Sequence, residues 1–235
     1  MALTKVIGAG VGNLDELGVG TASPTTSYGK SLQIHDTGTS GANLRLTDST
    51  SGSGTGNGLD IIQIGVNTHI INRESGSMTL YTSGDDGIII DANGHVTMPK
   101  QSAFNATNNG TQSNIATGTQ VTVALGTERF DVNADFASNT FTSPVTGKYQ
   151  LNIFIRIDNL DSAAHYYELK INTSNSGYGI IMDPDFGQDQ SYFNMAFAVL
   201  ADMDASDTAT VEIRQEGGTS QTDILDARFS GALLC

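Results

Sequence analysis

Residues 147–157, GKYQLNIFIRI, limit the possible folds more than any other stretch of the chain. Tyr149, Leu151, Ile153, Ile155 and Ile157 fall on one face. Gln150, Asn152 and Arg156 fall on the other, with Phe154 among them. Period-two alternation of β-branched and aromatic residues is the pattern of a strand that buries one face. Pro144, just upstream, cannot donate to a ladder, so the preceding strand should end there or lie at an edge.

The rest of the chain agrees with an all-β reading. Glycine occurs 27 times, only 15% of residues are charged, and tryptophan is absent. Such a composition favours short strands and many turns, and no segment carries a sustained apolar stripe at helical spacing. No run approaches the length of a membrane span, so no membrane insertion is expected. The first residues contain one lysine and no apolar leader-like stretch. The net charge of −14 argues against nucleic acid as a partner, because phosphate binding needs lysine and arginine. Cys235 is the only cysteine, so no intrachain disulfide can form; it is expected to be a small buried residue closing the last strand.

Strands are predicted at 42–48, 59–64, 69–73, 78–81 and within 87–98, with a tight turn at 91–94. These strands are short and their apolar faces narrow. A single copy would leave Ile61, Ile64, Ile70, Ile88 and Ile90 partly exposed, whereas three copies about an axis would bury them. Pro99 marks a junction. Beyond it, strands are predicted at 119–125, 166–172, 178–182, 191–200, 209–215 and 224–234. The stretch 191–200 is apolar on both faces, so its second face needs a cover that a neighbouring subunit can supply. Phe154, Phe193, Met195 and Phe197 are the residues expected at that interface.

Two sets of motifs resemble known families. Phe141, Thr142, Pro144, Gly147 and Tyr149 match a run typical of the globular head of complement subcomponent q, a jelly roll of the tumour-necrosis-factor type. Phe104 with Ala106 resembles that family's opening strand, and Phe229, Gly231, Leu233 and Leu234 its closing strand. The resemblance covers about the C-terminal half and implies a ten-stranded jelly-roll sandwich that forms a homotrimer. Residues 17–24, LGVGTASP, followed by Leu32 and Ile34, resemble an element of bacteriophage tail-fibre and related virion proteins. The organisation expected is an attachment segment at 1–30, a β-rich fibre-like or shaft-like domain at 31–100 and a jelly-roll tip at 101–235.

Few residues form a chemical constellation. Asp183, Asp185 and Asp189 make one carboxylate-rich loop and Asp202, Asp204 and Asp207 another. Oxygen-rich loops suit calcium, and some members of the resembled jelly-roll family bind it near the trimer axis. Solvated acidic loops are the simpler reading, and no other cofactor is implied. His35, His69, His95 and His165 have no metal-ligand spacing. No nucleophile-elbow motif is present, and no aromatic-rich cleft accompanies the acids as glycoside hydrolysis would require. The chain is therefore read as a non-enzymatic virion protein with no catalytic residues. It would dock on a phage tail or capsid protein through its N-terminus and bind a host surface glycan or protein through loops 158–166, 174–179 and 183–191. Tyr166, Tyr178, Phe186 and Asp189 are the candidate receptor contacts. Capsid decoration is the alternative role.

Overall fold

A computed structural model describes residues 16–19 and 31–235. Its chain divides into two units, 1–97 and 98–235. The attachment segment expected at 1–30 lies outside the described residues, apart from β1 (Glu16–Val19), which pairs in parallel with β2 (Ser31–Ile34).

Beyond β2, the described strands of the first unit form short antiparallel sheets. β3 (Ala42–Leu46), β4 (Leu59–Ile64) and β5 (Asn67–Asn72) form one. β6 (Met78–Thr82), β7 (Asp85–Ile90) and β8 (Val96–Thr97) form another. The turn between β7 and β8 forms as the sequence predicts. Gly94 takes φ +85°, and the Asp91 carboxylate accepts the backbone N–H groups of Asn93 and His95. The only fully buried side chain described in this unit is a carboxylate. Asp60 accepts Arg45 Nε at 2.6 Å, Arg73 Nε at 2.5 Å and Asn43 Nδ2 at 3.2 Å. The two guanidiniums hold Asp60 below the usual carboxylate range despite its desolvation. No apolar side chain of residues 32–97 is buried. Leu44, Ile61 and Ile70 lie opposite one another across β3, β4 and β5 as an open apolar row, with Ile70 56% exposed.

The second unit is a sandwich of two antiparallel sheets. One sheet runs in the order β11 (Thr127–Asp131), β9 (Ala103–Thr107), β19 (Asp223–Leu233), β14 (Gly147–Leu160), β17 (Gln190–Met203). The other runs β12 (Phe136–Ala137), β13 (Thr140–Thr142), β18 (Thr208–Gly217), β15 (Ala164–Thr173), β16 (Gly177–Met182), with β10 (Gln120–Thr122) also paired to β18. Without the two-residue β12 the sandwich has ten strands. This is the all-β jelly roll expected from the sequence.

Its core shows why the motif residues are there. The rings of Phe104 and Phe141 stack with centroids 4.6 Å apart, and Phe229 meets Phe104 edge-on at 5.0 Å. Phe141 lies 5.4 Å from Tyr149. All four are fully buried, each stabilising the fold by about 2–3 kcal/mol through removal from water. The Tyr149 hydroxyl donates to Val145 O at 2.7 Å and closes the turn that launches β14. Burial pushes that phenol above its ordinary pKa. Gly231 is required for close approach, since a Cβ there would sit 2.7 Å from both Leu151 Cδ2 and Phe104 Cε1.

β14 and β17 pair in register, Ile153 opposite Phe197 and Ile155 opposite Met195. Directly opposed residues share a face, so the inward face of β14 draws the odd residues of β17 inward. Met195 is buried, and Phe193 and Phe197 pack on the core. These three residues, expected at a subunit interface, instead close the sandwich; only Phe154 of that set points outward. Its ring lies under the Arg228 guanidinium at 5.5 Å. The free face of β17 carries Tyr192, Asn194, Ala196, Ala198 and Leu200, all exposed. Cys235, expected to be buried, is exposed at the chain end, and only its backbone is engaged, through Lys148 N–H at 2.7 Å.

Candidate functional site

Strand direction sorts the loops of the sandwich into two ends. The chain enters at residues 98–102, beside the end of β19, where Leu233 N–H donates to Ser102 O. The loops 143–146, 174–176 and 204–207 lie at this same end, tied by Ser206 N–H to Ser143 O and Asn175 Nδ2 to Asp207 Oδ2. The loops 161–163, 183–189 and 218–222 lie at the opposite end, together with 108–119. The three loops expected to form one recognition surface are thus divided. Loops 158–166 and 183–191 share the far end, while 174–179 sits at the entry end.

The candidate receptor residues are divided in the same way. Tyr178 pairs with Ile171 near the entry end and packs on the core. Phe186 is at the far end, but it too packs on the core, 5.6 Å from Phe193. Tyr166 is half-buried on β15, opposite Glu216. Asp189 alone is both exposed and part of an open site. Asp183 and Asp185 are exposed as well, yet among the described residues no three acidic, histidine or cysteine side chains converge as metal ligands would.

The far end is built on a buried carboxylate. Asp161 follows β14 and is fully buried. It accepts Ala163 N–H at 2.8 Å, Ser220 N–H at 2.7 Å and Thr219 N–H at 2.5 Å. Desolvation pushes its pKa up, but the backbone donors outweigh that and the net shift is downward. Gly218 makes the approach possible. Its φ is +105°, and a Cβ would lie 2.5 Å from Asp161 Oδ2. Behind Asp161, the Tyr167 hydroxyl accepts Asp161 N–H at 3.0 Å, and burial pushes this phenol up to about 12. Gln215, also fully buried, donates to Ser220 O at 2.7 Å and accepts Thr222 N–H at 3.1 Å. A second tie joins the neighbouring loop, as Ser162 donates to Asp189 Oδ1 from both N–H, at 2.9 Å, and Oγ, at 2.7 Å.

These ties frame a pocket of about 440 Å³ lined by Asn114, Asn159, Asp189, Gln221 and Asp223, with Gln190 and two serines between them. Every lining side chain is polar. Asn159 and Asp189 lie in loops that the sequence marks as exposed and functional. Asn114, Ser220, Gln221 and Asp223 were not singled out, although the polar run 217–221, GGTSQ, between two strong strands is a visible loop signal.

No known protein family matches the chain, and no curated protein matches it. Among solved structures it is similar to the globular domain of zebrafish complement 1qA protein, at 20% identity and a TM-score of 0.45, over 57% of this chain and 98% of the other. It is similar to murine APRIL at 12% identity and a TM-score of 0.42, over 57% of this chain and 100% of the other. PRD1 vertex protein P5 is similar at 12% identity and a TM-score of 0.39, over 57% and 98%. The likeness is one of fold.

Proposed function

We propose that the protein is a non-enzymatic, homotrimeric virion fibre protein of a bacteriophage. Its N-terminus docks on a tail or capsid protein, and the far-end loops of its jelly roll recognise a host surface receptor. One observation carries the trimer. Among its described residues the first unit buries a carboxylate and no apolar side chain, while Ile70, Leu80 and Leu46 remain more than half exposed. Three-stranded sheets with an uncovered apolar face do not stand alone in water. Other copies of the same chain supply the cover with identical rows about a common axis. In the sandwich, the outward face with Phe154, Ala196, Ala198 and Leu200 is the matching contact surface.

Receptor recognition rests on the far-end loops. They are fixed by buried polar groups and lie away from the end at which the chain enters. Three copies would present three such sites, so that weak contacts add through avidity. The test is immunogold labelling of intact phage particles with antibody to this chain, combined with adsorption assays in excess purified protein. Label on the particle and slowed adsorption are expected. Label with unchanged adsorption would replace receptor binding by capsid decoration, and no label at all would overturn both.

A further inference from the structure

We infer that the far-end pocket binds a neutral saccharide, with Asn159, Gln221 and the carboxylates of Asp189 and Asp223 as its hydrogen-bonding groups. The inference rests on the receptor reading and names the ligand class for it. Small-molecule pockets are mostly apolar with a few polar groups; this one has no apolar side chain on its wall. It gains little from burying hydrocarbon, so its ligand must return a hydrogen bond for each polar group it desolvates. A polyhydroxylated ring does this, because each hydroxyl both donates and accepts.

Charge narrows the class. Asp189 and Asp223 are the ionisable lining groups and no cation lines the pocket, so phosphate, sulfate and carboxylate ligands are repelled. Each aspartate spends one oxygen on the protein. Asp189 Oδ1 accepts from Ser162, and Asp223 Oδ1 accepts Asn114 N–H at 2.7 Å. The second oxygen of each is left to accept from vicinal hydroxyls. Asn159 and Gln221 add amides that donate and accept. Asn114 and Asn159 both hold left-handed backbone, φ +59° and +54°, a conformation that asparagine tolerates better than most residues.

The walls are set before a ligand arrives, which lowers the cost of ordering them on binding. Asp161 and Gln215 hold Ser220 from its N–H and its carbonyl, and Ser162 holds Asp189.

The experiment applies the full chain to an array of neutral hexose and N-acetylhexosamine oligosaccharides alongside sialylated and phosphorylated ones. It compares wild type with Gln221→Ala and Asn159→Gly; the glycine keeps the left-handed backbone while deleting the amide. Labelled wild type is scored in parallel on a panel of bacterial isolates. Binding to neutral glycans is expected, weakened about tenfold or more per site by each variant, with melting temperatures unchanged. Equal binding by both variants would overturn the pocket but not receptor recognition. Binding confined to acidic glycans would overturn the ligand class. Cell binding without any glycan binding would overturn the saccharide and leave the receptor reading standing; loss of both would end that reading too.

Discussion

Replacing Asp161 by alanine tests the support of the far-end loops. The substitution deletes the acceptor of three backbone N–H groups, those of Ala163, Thr219 and Ser220. Hydrogen bonds to a charged group each contribute about 1.5–3 kcal/mol. Residues 219 and 220 are exposed, so water recovers part of the loss. A net destabilisation of about 3 kcal/mol follows, which in a domain of this size lowers the melting temperature by roughly 10 °C. Asp161→Asn retains one acceptor oxygen but turns a donor toward another donor, and should cost about half as much. The pH dependence has a definite sign. The folded-state pKa of Asp161 lies below its unfolded value. Its contribution is therefore fully present above the unfolded carboxylate pKa, about 4, and is lost as pH falls through the folded value. Scanning calorimetry at pH 7 and pH 3 should show a large gap between wild type and Asp161→Ala at the higher pH and a smaller one at the lower. Hydrogen exchange at 217–222 should quicken in the variant. A melting temperature within about 2 °C of wild type at pH 7, or a gap that does not shrink in acid, would refute the reasoning.

Other perturbations probe the remaining parts of the structure. Gly231→Ala forces a methyl against Leu151 and Phe104 and should cost about 1–3 kcal/mol in thermal melts. Leu200→Asp places a charge on the outward face of β17 without touching the core. It should leave the sandwich folded by circular dichroism while lowering the assembled mass, and an unchanged mass would place the contact elsewhere. Asp60→Asn removes the charge that pairs Arg45 and Arg73, and limited proteolysis should then cut within 31–97 sooner than in wild type. Because the Asp60 carboxyl is held below its usual range, its contribution in wild type is present above the unfolded carboxylate pKa. It should persist on acidification until the pH falls through the folded value.

The strands were legible where one face is apolar and the other polar, as in β14, whose odd residues from Tyr149 to Ile157 are all buried. β17 was not, because Tyr192, Ala196 and Leu200 give its even face nearly the apolar character of its odd one. What decides between them is the register Ile153–Phe197, a pairing between residues far apart in sequence that no local pattern contains. The separation of the loops follows from counting strand directions. The turn at 174–176 is one strand away from 183–189 and so must lie at the other end. The pocket was the least legible feature. It gathers Asn114, Asn159, Asp189 and Asp223 from four separate segments of the chain, and its frame depends on Asp161, whose burial next to a polar loop runs against its residue type. The exposed isoleucines of the first unit, by contrast, could be expected from short strands alone, since a narrow sheet cannot cover both of its faces.

The claim on which the account depends is that three copies of this chain complete one structure. Native mass spectrometry or sedimentation of the full chain at micromolar concentration measures this directly. The expected species has three times the chain mass of 24.6 kDa and shows no monomer on dilution through that range. A stable monomer whose 31–97 segment is as protected from hydrogen exchange as its sandwich would contradict the account, because Leu44, Ile61 and Ile70 would then need no partner.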